Sequence, residues 1–320
     1  MNYEEAKRAF VTDNRKQLTE AVSVLKEESR NGSAMAAYYL SQAYGFGKGI
    51  RKNEKEAFLF VEKAAETFAP AKAVLAFDYL IGRGVEKDSE KADRLFRESA
   101  NEGCVISDMF LSENKQCREY ATTQFSRYIR RDEKTVRLKE ISDNPMAQSM
   151  LIVYAQSEKE KNERIEVARA SNYRYANVLW WQKQALTDKK LREEALNNMS
   201  LLADAGYVFA CDILADTYCN LGEYVSAASY YNRAFKDGML TSGTKLLVLL
   251  QSANDTDTKI IDDFLAVLHK RIESGCGYAT FLLSYYYGAI LNYKNAAEVM
   301  LKISAGMGSS IAKRMLELTR

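Results

Sequence analysis

The chain has 320 residues, 47% hydrophobic and 28% charged, the balance of an ordinary globular protein. Its 45 Lys and Arg against 43 Asp and Glu leave a formal charge of +2, which argues against the strongly basic face of a nucleic-acid binder. Only two residues are proline, which favours an almost wholly helical fold, because proline in a helix interior removes a hydrogen bond and clashes with the preceding turn.

The opening residues, Met1-Asn2-Tyr3-Glu4-Glu5-Ala6-Lys7-Arg8, are too charged for the apolar core of a signal peptide. The longest apolar run, Leu246 to Leu250, falls far short of a membrane span, so a cytoplasmic location without membrane contact is expected. The cysteines Cys104, Cys117, Cys211, Cys219 and Cys276 contain no close metal-type pair. Cys211 and Cys219 share a predicted helix, where their spacing sets them roughly 12 Å apart, too far for a disulfide. Free, mostly buried thiols are expected.

Residues 1–33 read as N-terminal capping helices ending in Ala21, Leu25 and Gly32. Two segments over 34–103 then align without a gap. Tyr44 and Tyr79, Gly47 and Gly82, Ala57 and Ala92, and Ala65 and Ala100 are all separated by 35 residues. Leu40 and Tyr44 share one helix face, as do Leu75 and Tyr79. Each Gly-x-Gly ends a first helix at positive φ. Asn53 and Asp88 stand where a second helix needs an N-cap, and Glu56 would complete a capping box. This pattern resembles the Sel-one-like repeat family, relatives of the tetratricopeptide repeats, with departures at Ser99 and Asn101.

Residues 104–143 are the least regular and read as a divergent helix pair or a joint. Pro145 opens the next helix, and residues 144–320 read as degenerate Sel-one-like or tetratricopeptide-like repeats. Leu214, Ala215, Tyr218, Tyr224, Ala227, Tyr231 and Ala234 have tetratricopeptide spacing. Leu283, Ser284, Tyr287, Tyr293, Ala296, Met300 and Ile303 repeat it 69 residues later, which leaves room for one degenerate unit at about 240–273. The resemblance implies an all-α, right-handed α-solenoid of antiparallel helix pairs. Such stacks bury their interiors only against neighbouring repeats.

No catalytic constellation is visible. The single histidine, His269, lacks spaced partners for zinc or for a triad, and no Gly-x-Ser-x-Gly elbow occurs. The glycine pairs follow helices rather than strands, so they read as turns and not as phosphate cradles. Asp262-Asp263 reads as a solvated helix start. The basic run Arg127 to Arg131, flanked by Glu119, Asp132 and Glu133, reads as a salt-bridged face. One of Trp180 and Trp181 is expected in the core and the other at a contact.

The resemblance also implies an inner groove, lined by the free face of each first helix. It places Tyr38, Gln42, Phe77, Gln148, Ile152, Asp212, Asp216, Asn220, Tyr278, Phe281 and Tyr285 there. Asp212 and Asp216 would form a patch for a cation or a partner. The expected function is a protein-interaction scaffold holding a partner protein or peptide on its concave surface, with no cofactor and no metal. A regulatory, immunity or sensor subunit of a larger complex is the alternative, and a nucleic-acid-binding helical repeat is the second.

Overall fold

The computed structural model describes residues 1–11, 16–126, 131–141, 143–170, 172–252 and 258–318. Among these, every regular element is a helix. In chain order they are α1 (Tyr3–Val11), α2 (Leu18–Arg30), α3 (Ala34–Phe46), α4 (Glu54–Ala65), α5 (Ala69–Ile81), α6 (Ser89–Asn101), α7 (Val105–Leu111), α8 (Lys115–Ser126), α9 (Arg131–Glu140) and α10 (Pro145–Val153). They continue as α11 (Glu158–Arg169), α12 (Arg174–Thr187), α13 (Arg192–Asp204), α14 (Val208–Asn220), α15 (Tyr224–Lys236), α16 (Leu240–Ser252), α17 (Thr258–Glu273), α18 (Gly277–Tyr285), α19 (Lys294–Gly306) and α20 (Ser310–Leu318). A π-helical segment, Tyr286–Ile290, prolongs α18.

The chain divides into two compact units. The first comprises residues 1–29 and 33–180, and the second comprises 30–32 with everything from Trp181 onward. Residues 104–143 hold α7, α8 and α9 within the first unit. The basic run beginning at Arg127 lies outside the described residues apart from the Arg131 backbone, which opens α9.

The Gly-x-Gly turns show why these residues recur. Gly47 and Gly82 cap α3 and α5 at φ of 69° and 76°, where a side chain would strain the backbone. Nine residues past each tyrosine, the chain is pinned back: Asn53 N–H donates to Tyr44 O and Asp88 N–H to Tyr79 O, both at 2.9 Å. The second glycines meet a different demand. A Cβ at Gly49 would sit 2.6 Å from the Leu18 carbonyl oxygen, and one at Gly84 only 2.3 Å from that of Glu54. Leu18 and Glu54 open α2 and α4. The second glycine therefore lets each turn lie against the start of the preceding hairpin's second helix. The basic residue between the glycines also reaches out of its own hairpin. Lys48 Nζ donates to Phe10 O at 3.1 Å, and the Arg83 guanidinium donates to Phe125 O at 3.0 Å.

Asn53 and Asp88 cap α4 and α6 with their side chains as expected. The reciprocal bond expected of Glu56 is not needed, because the Asn53 N–H is already taken by Tyr44. Ser99, which departs from the repeat pattern, is fully buried and donates to Ala69 O at 2.7 Å while accepting from Ser107 at 2.9 Å. It replaces an apolar contact with a bridge from α6 to the start of α5 and to α7. Below it lies an aromatic core in which Phe96 stacks on Phe110 at 4.2 Å and Phe77 on Phe125 at 5.2 Å.

In the second unit, α14–α15 and α18–α19 are matching hairpins with one slip between them. The residues before their first helices, Tyr207 and Cys276, are 69 apart and make the same backbone bond, to Leu202 O and Arg271 O. The residues closing their second helices, Asp237 and Met307, are 70 apart and bond to Arg233 O and Ile303 O. The extra residue is absorbed by the π-helical segment and the turn after it, where Asn292 takes φ of 56°. A π-turn is the usual way for a helix to take in one inserted residue. Ala227 therefore corresponds to Ala297, not to Ala296 as the constant spacing of 69 implies.

Candidate aromatic cavity and the groove residues

The first unit encloses a cavity of about 500 Å³. Its wall is built chiefly from the first helices of successive hairpins, α3, α5, α7 and α10, with Tyr175 from α12 and with Gln124 and Phe125 from α8. Among the described residues eight aromatic rings line it, including Tyr38, Tyr39, Phe68, Tyr154 and Tyr175. A first helix in a hairpin stack is packed by its own partner on one side and by the next hairpin on the other. Only its inner stripe is left to face such a space. Met35 and Val153, which are 38% and 47% exposed, mark where the wall reaches the surface.

Tyr38 sits among protein atoms on this wall. Burial, with Tyr154, Tyr39 and Cys104 nearby, pushes its phenol far above the usual tyrosine range, although a hydrogen bond with Gln42 opposes this. Burial likewise raises Tyr175, to about 12. Both hydroxyls therefore stay protonated at neutral pH. Asp78 and Arg83 form an ion pair on the wall, with side chains 3% and 14% exposed. Burial pushes the Asp78 carboxyl up to about 6 despite the opposing pull of Arg83. Glu102, another wall residue, is paired with Lys72. Lys134 lies 5.9 Å from the Tyr154 ring. Both amide atoms of Gln124 are buried without a hydrogen-bond partner among the described residues, a costly state for a polar group.

Of the residues expected in a groove, Tyr38 and Gln42 are on this wall. Phe77 and Ile152 are 4% exposed, and Phe77 belongs to the aromatic core. The free face assigned to them is taken by neighbouring helices. Gln148 is half-buried and stands outside the cavity wall. In the second unit Tyr278 and Phe281 are 5% and 8% exposed and pack in the core. Tyr285 is half-buried and donates to Gln251 Oε1 at 2.6 Å. Asn220 is exposed and donates to its own helix at Asp216 O.

Asp212 and Asp216 already hold a cation, and it belongs to the chain. Lys245 Nζ lies 2.7 Å from Asp212 Oδ2 and 2.8 Å from Asp216 Oδ2. Ser242 Oγ donates to Asp212 Oδ1 at 2.7 Å and Tyr231 OH to Asp216 Oδ1 at 2.6 Å. Burial alone would lower the Lys245 pKa, but the two carboxylates outweigh it and raise the ammonium above its usual value. The pair serves to tie α14 to α16.

The remaining sequence candidates take structural roles. Trp180 is 7% exposed, donates to Glu166 Oε2 at 3.1 Å and is covered by the Arg169 guanidinium at 3.6 Å. Trp181 is half-buried against a separate cluster that includes Met199. His269 is exposed. The five cysteines are unpaired. Among the described residues no group of three or more metal-ligating side chains occurs, and no helix is long and apolar enough to cross a membrane.

No protein-family model matches the chain, and no curated protein matches it. Solved structures do. One is a protective antigen of uropathogenic Escherichia coli strains displaying an SLR fold. It is 18% identical, with 92% of this chain and 66% of that chain covered and a TM-score of 0.40. This chain thus spans slightly under two thirds of that antigen. Another is a Sel1 repeat protein from Oxalobacter formigenes, 19% identical, with 98% and 86% covered and a TM-score of 0.32. Both overlays are loose. The all-α repeat fold stands on the hairpin geometry itself, the Gly-x-Gly turns and matched backbone bonds described above.

Proposed function

We propose that this chain is a non-catalytic scaffold that holds a partner polypeptide on the inner helices of its first unit. One observation carries the reading. The inner helices converge on an aromatic-walled cavity with an exposed apolar rim at Met35 and Val153. By contrast, Asp78, Arg83 and Glu102 on its wall and the second unit's Asp212–Lys245 cluster are engaged in ion pairs within the chain. Large aromatic walls supply contact area at low entropic cost, which suits recognition of a partner side chain.

The test is quantitative co-purification from the source cell with the tagged chain and three variants. Met35→Glu and Val153→Glu place a charge on the exposed rim, and Leu201→Glu changes an exposed residue of the second unit. Partners should be lost from both rim variants and kept by the Leu201 variant. Identical partner sets for all three would contradict the assignment of the binding surface.

A further inference from the structure

Within that reading, we infer that the cavity takes an uncharged aromatic side chain together with the peptide amides that flank it. Four observations lead there. The volume, about 500 Å³, is of the size that accepts small organic molecules. It leaves room for an aromatic ring plus neighbouring backbone. The wall rings favour a ring as occupant, through edge-to-face and offset contacts. The wall charges of Asp78 and Glu102 are already neutralised by Arg83 and Lys72, so a cationic side chain would lose its water without gaining a counter-charge.

The fourth observation is Gln124. Its amide oxygen and nitrogen are buried on the wall with no partner among the described residues. A peptide offers both groups that this amide lacks, an N–H and a C=O. By turning its amide toward the lumen, Gln124 pairs with the backbone beside the anchor. An unmet polar group in the free protein becomes a met one in the complex.

N-acetyl-tryptophanamide is the minimal mimic of such an anchor, a neutral ring between two amides. Calorimetric titration into the full chain should give saturable one-to-one binding with a Kd on the order of 100 µM, as its size allows. Val153→Trp, which plugs the rim with a side chain already exposed at that position, should weaken binding at least tenfold. Gln124→Leu should have two effects of opposite sense, which a merely structural role would not give. It should raise the melting temperature, because an unpaired amide is removed, and weaken binding about tenfold.

N-acetyl-tryptophan, with a free carboxylate, tests the charge argument, because Lys134 stands on the wall. It should bind more weakly than the amide. Tighter binding of the carboxylate would overturn the uncharged class in favour of an anionic anchor held by Lys134. No saturable binding of the amide, or binding unchanged in the Val153→Trp variant, would overturn the inference. The scaffold reading would then still stand or fall on the rim-charge experiment alone.

Discussion

Replacing Gly84 with alanine isolates the contact on which the first repeats are stacked, because Gly82 supplies an internal control. The two glycines have nearly the same φ, 75° and 76°. An alanine at either one therefore carries the same left-handed penalty, about 1 kcal/mol. At Gly82 the new Cβ meets nothing closer than 3.6 Å, so that penalty is the whole effect. At Gly84 it would lie 2.3 Å from the Glu54 carbonyl oxygen and 2.9 Å from Phe58 Cβ. Both belong to the first turns of α4 and have no rotamer through which to swing aside. The helix must shift against the turn, adding about 1–3 kcal/mol of overpacking. Guanidinium denaturation of the full chain, followed by far-UV circular dichroism, should show Gly82→Ala destabilised by about 1 kcal/mol and Gly84→Ala by about 2–4 kcal/mol. Equal losses for the two variants would refute the claim that the second glycine is required by close approach rather than by backbone conformation.

Lys245→Met should cost about 2–4 kcal/mol by leaving Asp212 and Asp216 facing each other, and adding Asp212→Asn with Asp216→Asn, which remove the charges but keep acceptors for Ser242 and Tyr231, should recover most of it; denaturation midpoints check both. Asp78 titrates at about 6 in the folded chain against about 3.9 when unfolded, so the folded state binds this proton more tightly. Its contribution to stability is greatest below pH 4 and falls by about 3 kcal/mol in all, most of it by about pH 6 and the rest as the pH passes above that to about 7. The wild-type minus Asp78→Asn stability difference, measured by denaturation across that range, should trace this fall. Deleting Ala289, an exposed residue of the π-helical segment, should restore a regular α-turn and hold stability within about 1 kcal/mol of the parent, as a thermal melt will show. In thiol labelling of the native chain, half-buried Cys219 and Cys276 should react first. Cys104, Cys117 and Cys211 are buried, with thiol pKa values raised by burial, and should react only as the chain unfolds.

What the sequence makes legible is what the backbone demands of particular residue types. Gly47, Gly82, Asn53 and Asp88 answer to turn and cap geometry within a few residues, so their roles can be read locally. The groove was harder to read for a physical reason. Helical spacing assigns Phe77 and Tyr278 to a face, but inner helices of a hairpin stack are covered on several faces, and both rings are core. The partner of Asp212 and Asp216 lies about thirty residues away on another hairpin, at a distance no periodicity reports. Gln124 and Tyr175 carry no repeat landmark, and their place on the cavity wall follows only from the packing of α8 and α12. The slip from 69 to 70 residues is invisible in sequence because alanines stand at both 296 and 297.

The most direct test of the central claim is hydrogen–deuterium exchange on the full chain with and without a partner captured by the co-purification. The aromatic cavity as binding site predicts slowed exchange centred on α3 and α10, the helices that carry Met35, Tyr38 and Val153, and on Tyr154 just after α10. Protection confined to α14 through α20, with α3 and α10 unchanged, would contradict it.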